Sequence, residues 1–229
     1  DCIFGGRGLD NLYGNDGSDL IYGNEGDDYM DGGAGTDFMY GNEDDDLMLG
    51  GDDYDWMYGG TGSDCIFGQN GDDYIEGNDG SDAPLVGGAG NDSIDGGAGH
   101  DEIYGDAYTG GSGHAQFPVD TGAPGNDNII GRDGHDLIFG GGGNDNIDGG
   151  AGDDNMLGEE GDDTITGATE SDYFDGGAGA GDTATDFDSN VDVACVDIEF
   201  GCSAPTAVPT DTPTDAPTEV PTEVVTEVD

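Results

Sequence analysis

A nine-residue motif, repeated without a gap from Gly5 to Leu85, restricts the fold of this chain more than any other feature. Each copy follows the pattern G-x-x-G-x-D-x-U-x, where U is a large apolar residue, as in GNDGSDLIY at residues 14–22. A period this short is typical of a solenoid. The six glycine- and acid-rich residues predict a turn. The three residues that follow predict a short strand whose middle side chain points inward.

The repeat places an acid at one fixed position and an apolar residue two positions later. Position six is Asp in every copy of this stretch, and position eight is apolar in every copy except the one that carries Pro84. Two repeats are expected to close one flattened coil, so alternate repeats should lie in opposite sheets. We therefore predict an all-β fold, a parallel β-roll or β-solenoid built from two parallel sheets.

These repeats resemble the RTX (repeats-in-toxin) family, whose G-G-x-G-x-D-x-U-x nonapeptides form parallel β-rolls with calcium in the turns. The resemblance covers roughly residues 1–185. It implies Ca²⁺ as the cofactor, with multiple ions and about one ion for each stacked pair of turns. Each ion would lie between two turns that stack on the same edge of the roll.

The resemblance implies two kinds of oxygen ligand, which agrees with the chemistry of calcium. Calcium takes roughly six to eight oxygens and accepts carboxylates together with backbone carbonyls. The implied side-chain ligands are the position-six acids, namely Asp1, Asp10, Asp19, Asp28, Asp37, Asp46, Asp55, Asp64, Asp73, Asp82, Asp92, Asp101, Asp127, Asp136, Asp145, Asp154, Asp163, Asp172 and Asp182. The implied backbone carbonyl ligands belong to first turn glycines, namely Gly5, Gly14, Gly23, Gly32, Gly59, Gly87, Gly96, Gly131, Gly140 and Gly149.

The charge of the chain limits its partners. It has 54 Asp and Glu residues, two arginines and no lysine, for a formal charge of −52. This balance excludes nucleic acid and anionic membranes as partners, and no apolar run is long enough for membrane insertion. Two carboxylates about 5 Å apart in water repel by about 0.8 kcal/mol. Columns of them need a divalent cation. A disordered Gly/Asp-rich chain that binds calcium diffusely is the alternative, but it would not need an apolar residue in every repeat.

Changes in the pattern divide the chain into five segments. They are a first RTX β-roll block at 1–104, an inserted surface loop at 105–121, a second RTX β-roll block at 122–185, a C-terminal β cap at 186–203, and a Thr/Pro/acid-rich tail at 204–229. Alternating valines predict the cap strands. The composition of the tail is typical of an extended, O-glycosylated spacer.

The four cysteines indicate an oxidising compartment rather than a metal cluster, because no C-x-x-C pair is present. Cys2 and Cys65 lie seven repeats apart, which puts them on opposite sheets and too far apart to form a disulfide. We predict an intrachain disulfide between Cys195 and Cys202. An interchain bond from Cys2 to either of them is the alternative.

One outward face of the predicted roll is almost wholly apolar and aromatic. Positions seven and nine of alternate repeats supply Leu20, Tyr22, Phe38, Trp56 and Tyr58 to it. Cross-strand aromatic neighbours stabilise a sheet, which is one interpretation. A contiguous exposed apolar patch more often marks an interface. We expect this face to bind another chain or the tail of the same chain.

These features predict a secreted, extracellular calcium-binding β-solenoid with a structural role, at the cell surface or in a matrix. It would be a subunit of an extracellular filament or of a biofilm or surface matrix. The alternative is a non-catalytic RTX secretion and folding module excised from a larger exoprotein, such as a protease, lipase, toxin or adhesin. The sequence offers no Ser/His/Asp set and no nucleophile elbow, so we expect no enzymatic activity.

The start of the sequence leads to two further expectations. No signal peptide is visible at Asp1, which favours a processed or excised product, or export without an N-terminal signal. The sequence also begins in the middle of a repeat, so the first coil would present an unpaired strand edge. A contact between such ends that does not close gives a filament. We therefore predict an end-to-end homopolymer.

Overall fold

The computed structural model describes residues 1–106, 124–168 and 170–185, together with the backbone of residues 194–196. All regular structure in these residues is β. Among them, no helix has the length and apolarity needed to cross a membrane. The tail, Cys202, the side chain of Cys195 and most of the predicted inserted loop lie outside the described residues.

The strands follow one another at regular intervals along the chain. They are β1 (Cys2–Arg7), β2 (Asn11–Asp16), β3 (Leu20–Glu25), β4 (Tyr29–Ala34), β5 (Phe38–Glu43), β6 (Leu47–Asp52), β7 (Trp56–Gly62), β8 (Cys65–Asn70), β9 (Tyr74–Gly80), β10 (Leu85–Ala89), β11 (Ser93–Ala98), β12 (Glu102–Tyr104), β13 (Asn128–Asp133), β14 (Leu137–Gly142), β15 (Asn146–Ala151), β16 (Asn155–Glu160), β17 (Thr164–Thr166), β18 (Tyr173–Asp175), β19 (Thr183–Thr185) and β20 (Ala194–Val196).

Odd-numbered and even-numbered strands form two separate parallel sheets. In each sheet the strand order follows the chain, so β1 pairs with β3, β3 with β5, and β2 with β4. The predicted solenoid of two parallel sheets, with alternate repeats on opposite sheets, is confirmed. This topology stacks equivalent positions of every second repeat directly above one another.

Most strands are longer than the three residues that the repeat predicts. β3 has six residues, because Asn24 and Glu25 at positions two and three of the turn pair with Asn42 and Glu43 of β5. Gly23 at position one interrupts the pairing between the two short runs. The prediction of a three-residue strand was wrong here because the turn residues of stacked coils also hydrogen-bond as a ladder.

A single file of apolar side chains fills the space between the two sheets. Position eight supplies nearly all of it, as predicted, and most of these side chains have no exposed surface, as for Ile21, Met30 and Met57. Full burial of such a side chain contributes about 1.5–3 kcal/mol. The core is only one residue wide per strand, so each coil depends on its own apolar residue.

The irregular copy near Pro84 corrects one assignment. The sequence pattern put Pro84 at position eight and Leu85 on the outside. Instead, Leu85 is fully buried and pairs with Ile66 and Ile103, both position-eight residues of neighbouring coils. Val86 takes the next position and pairs with Tyr104. The extra residue is therefore accommodated before Leu85, and the apolar file continues without a break.

Among the described residues, one change in the spacing between coils is much larger than the others. Asp127 and Asp145 on successive coils are 18 residues apart, but Asp92 and Asp127 are 35 residues apart. Gly105 opens the turn that Asp127 closes, since a β-carbon on Gly105 would lie 2.3 Å from Asp127 Oδ2. The roll thus continues in register across residues 107–123. The boundaries of the two blocks, the loop and the cap stay predictions.

Candidate metal centres

Position-six aspartates form two buried columns, one along each edge of the roll. From Asp19 to Asp182 their exposed fraction does not exceed 3% among the described residues. Each column follows from the topology, since every second repeat stacks on the same edge. Ionised carboxylates are almost never buried without a partner that compensates their charge. These columns are therefore the candidate site of the protein.

One oxygen of each carboxylate has a protein partner. The backbone N–H of Asp28 donates to Oδ1 of Asp46 at 2.8 Å, and the N–H of Asp46 donates to Oδ1 of Asp64 at 2.8 Å. The same bond recurs along both columns, and across the interrupted turn it joins Asp92 to Asp127 at 2.7 Å. These bonds orient the carboxylates identically in every coil and link each coil to the next.

The second oxygen of nearly every carboxylate in the columns is buried and has no hydrogen-bond partner among the described residues. The atoms concerned are Oδ2 of Asp19, Asp28, Asp37, Asp46, Asp55, Asp64, Asp82, Asp92, Asp101, Asp127, Asp136, Asp145, Asp154 and Asp163. A buried carboxylate oxygen left unpaired costs several kcal/mol unless a charge compensates it. Repeated in coil after coil, this arrangement indicates a row of cation sites.

Turn carbonyls converge on the same oxygens. A β-carbon on Gly41 would lie 2.2 Å from Oδ2 of Asp46 and 2.6 Å from the carbonyl oxygen of Gly59 on the next coil. The carboxylate and the carbonyl thus face one small space that only a glycine leaves open. The predicted carbonyl ligands found in this relation to an aspartate are those of Gly23, Gly32, Gly59, Gly87, Gly96, Gly131, Gly140 and Gly149.

The remaining predicted ligands lie near the first coil or late in the repeats. A β-carbon on Gly5 or on Gly14 would likewise lie close to one carboxylate oxygen and one carbonyl oxygen. Asp10, which supplies the carboxylate beside Gly5, is half-buried. The Asp1 side chain is 89% exposed, and its α-amino group bonds to Asp19 instead. Asp172 is buried and accepts a hydrogen bond from Asp154 N–H at 3.0 Å. Asp1 thus stands apart from the buried columns.

Further carbonyls stack along the turns, which the sequence analysis did not assign. A β-carbon on Gly33 would lie 2.2 Å from the Asn15 carbonyl oxygen, and one on Gly35 would lie 2.6 Å from that of Gly17. Positions two and four of successive coils therefore approach each other backbone to backbone. Asp44 and Asp53, which replace the fourth glycine, adopt φ of 77° and 79° and keep the same turn. The signal in the sequence was the preference for Gly or Asn at these positions.

Burial changes the acidity of the columns. Desolvation, with a smaller contribution from neighbouring aspartates, raises the pKa of Asp92 to about 9 and the pKa values of Asp55 and Asp127 to about 8. Without a cation these groups would hold protons at neutral pH. A divalent cation at Oδ2 replaces the proton and keeps the carboxylate ionised.

The donor set fits calcium. All the converging atoms are oxygens, from carboxylates and carbonyls, and hard cations such as calcium prefer this mixture. The described residues contain no group of three or more His, Cys, Asp or Glu side chains placed to hold a metal. An ion in these turns therefore requires backbone carbonyls in addition to carboxylates. Cys2 and Cys65 are free thiols and take no part in the turns.

Comparison with known proteins agrees with this geometry. A family model described as the RTX calcium-binding nonapeptide repeat (4 copies) matches residues 4–39, 22–57, 40–75, 50–83, 85–107, 121–156 and 149–181. Together these stretches span well over half of the chain. None of the curated proteins compared with the chain matches it.

Proposed function

The chain belongs to the family of RTX calcium-binding nonapeptide-repeat proteins, and from this premise we propose that it is a secreted structural protein whose folding is driven by calcium. The observation that carries the proposal is the double column of buried Oδ2 atoms, most of which have no hydrogen-bond partner in the described part of the chain. The chain has a formal charge of −52 and buries many of its carboxylates. Repulsion among these groups opposes a compact fold until a cation compensates their charge.

Position-six carboxylates and position-one carbonyls would hold the ions. When bound, calcium supplies positive charge between stacked turns. The protein orients the ligands and provides the space for the ion. The Asp46 N–H fixes the carboxylate of Asp64, and glycine at position one keeps space open for the ion. Since a preformed site is absent from the unfolded chain, binding free energy is folding free energy.

The proposed setting is extracellular. Extracellular calcium modules bind with dissociation constants of about 10⁻⁴–10⁻³ M, so such a chain would stay unfolded in the cytosol and fold after export. Cys2 and Cys65 are free thiols in the described chain. The disulfide between Cys195 and Cys202 stays a prediction, with an interchain bond from Cys2 as its alternative. We propose a structural role in a biofilm or surface matrix. The proposed extracellular location and the repetitive two-sheet fold, which can act as a scaffold, support this role.

Calcium titration of the full chain tests this proposal. The hydrodynamic radius, followed by dynamic light scattering, should fall steeply within the sub-millimolar to millimolar range, and calcium uptake should follow the same curve. Magnesium at equal ionic strength is the control, because it demands a tighter octahedral site and dehydrates reluctantly. A radius that is compact before calcium is added, or uptake without any change in radius, contradicts the proposal.

A filament subunit is the second candidate. The Phe4 ring stacks on that of Tyr22 and is 63% exposed in the described chain. A second copy of the chain that docks on this ring would cover it, and repetition of a contact that does not close gives a filament. Sedimentation in millimolar calcium should show species that grow with concentration. A single 23.2 kDa species at all concentrations contradicts the filament and favours the alternative, a folding and secretion module of a larger exoprotein.

A further inference from the structure

A column of aromatic rings runs along the outer face of the odd-numbered sheet. Ring centroids of Phe4 and Tyr22 are 5.1 Å apart, those of Tyr22 and Tyr40 are 4.9 Å apart, and those of Tyr40 and Tyr58 are 5.0 Å apart, all nearly parallel. The Tyr74 ring lies 6.0 Å from that of Tyr58 and is tilted against it. The parallel register of the strands therefore gives a continuous path of four tyrosine rings.

The single tryptophan of the chain lies beside this path. The Trp56 ring is 6.1 Å from the ring of Tyr74, 5.6 Å from that of Tyr54 and 4.9 Å from that of Phe38. Its Nε1–H is buried from solvent and has no acceptor among the described residues. Loss of one electron makes an indole N–H strongly acidic. Because the buried Nε1–H faces no acceptor in this part of the chain, an oxidised Trp56 keeps its proton and stays a strong oxidant.

Tyr74 has the acceptor that Trp56 lacks. Its hydroxyl donates a hydrogen bond to the carboxylate of Glu76. A phenol gives up an electron readily when its proton can leave at the same time. The hydrogen bond to Glu76 and partial burial raise the pKa of Tyr74, so the phenol is protonated at neutral pH. Two further charged groups in this region, Asp95 and Arg132, are paired with each other.

We propose that Trp56 and Tyr74 form an oxidation relay that accepts a hole from a one-electron oxidant. The oxidant removes one electron from the Trp56 indole and leaves a radical cation. One electron then moves from Tyr74 to Trp56, and the phenolic proton moves to Glu76. The products are a neutral indole, a tyrosyl radical and a protonated Glu76, so charge and protons balance. Tyr58, Tyr40 and Tyr22 extend the path for the radical along the sheet.

The relay directs oxidation away from the core. Trp56 directly precedes Met57, which is fully buried in the apolar file. Oxidation of a methionine sulfur makes an apolar side chain polar and disrupts a core. The core also buries Met30, Met39 and Met48. An outer path of rings that can be oxidised reversibly would protect these methionines from oxidation in an extracellular roll.

Pulse radiolysis of the calcium-loaded full chain tests the relay. The azide radical serves as the one-electron oxidant, and the indole and tyrosyl radicals are followed by their separate absorption bands. The indole signal should convert to a tyrosyl signal at a rate independent of protein concentration. Tyr74→Phe should slow the conversion at least several-fold. Glu76→Gln should also slow it, although the Tyr74 ring remains in place.

Tyr54→Phe is the matched control, because the Tyr54 ring also lies close to the same indole, with ring centroids 5.6 Å apart. This variant should convert at the wild-type rate. Far-UV circular dichroism and calcium uptake confirm that each variant is folded. Wild-type conversion in Tyr74→Phe, loss of conversion in Tyr54→Phe, or a rate that rises with protein concentration would each overturn the proposal. None of these outcomes depends on whether the protein forms a filament.

Discussion

The backbone N–H of Asp46 donates a hydrogen bond to Oδ1 of Asp64 at 2.8 Å, although the two residues are 18 positions apart. This bond repeats along both edges of the roll, and Oδ2 of most of these carboxylates is buried without a hydrogen-bond partner among the described residues. One residue type at one position thus both joins neighbouring coils and creates the demand for a cation.

Substitution of Asp64 separates these two roles. In Asp64→Asn the side-chain oxygen can still accept from Asp46 N–H, so we expect a folded roll in saturating calcium that binds fewer ions. Asp64→Ala also removes the acceptor, which should cost roughly 1–3 kcal/mol more because a buried N–H is left unsatisfied. Urea unfolding in saturating calcium and atomic absorption of the dialysed protein measure both effects. Equal stability of the two variants would show that the hydrogen bond contributes nothing.

Glycine at position one should be irreplaceable even by alanine. The β-carbon of Gly41→Ala would lie 2.2 Å from Asp46 Oδ2 and 2.6 Å from the Gly59 carbonyl oxygen, so we expect lost calcium and a locally opened coil. Gly17→Ala is the control, because its β-carbon meets nothing within 4 Å. Its φ of 123° should cost about 1–3 kcal/mol of stability without blocking the ion. A larger loss of calcium binding in Gly17→Ala than in Gly41→Ala would contradict the calcium site proposed beside Gly41.

The calcium-free chain should lose stability as pH rises. Burial raises the pKa values of Asp55 and Asp127 to about 8 in the folded state, against about 3.9 in an unfolded chain. Between these values the unfolded chain has released protons that the folded chain still holds, so higher pH favours unfolding. Calcium-free protein should therefore show its β signal near pH 4 and lose it towards pH 8. Stability that rises over this interval would contradict the account.

Asp106 should hold the interrupted turn together. Its buried carboxylate accepts from Gly125 N–H at 3.0 Å on one oxygen and from Gly142 N–H at 2.5 Å on the other. It therefore links the residues on both sides of the interruption through two hydrogen bonds. We expect Asp106→Ala to lower the unfolding midpoint and Asp106→Asn, with one acceptor oxygen, to lie between. Asp79→Ala, at an exposed turn acid, is the control and should unfold like wild type.

The sequence predicted the regular part of the fold because its repeat is strict. An apolar residue at position eight, such as Ile66, predicts a buried side chain, and the period of two repeats per coil determines the strand order in each sheet. The length of the strands could not be predicted, because pairing of Asn24 with Asn42 depends on how closely stacked turns approach. Leu85 was misplaced because a one-residue insertion beside a proline leaves the register ambiguous.

The candidate site was predictable in its residue types but not in its atoms. The spacing of the aspartates identifies the columns, yet nothing in the pattern tells which carboxylate oxygen is satisfied by a backbone N–H. The role of Asp106 escaped prediction for a related reason. Its partners Gly125 and Gly142 are brought near it only when the roll resumes after the interruption.

Far-UV circular dichroism of the full chain at neutral pH, recorded in excess chelator and again after calcium is restored to millimolar concentration, decides whether folding depends on calcium. We expect an unfolded spectrum in chelator and a reversible gain of β signal with calcium, because the columns of Asp46 and Asp55 need a cation to be buried while ionised. An identical β spectrum in both conditions would contradict it.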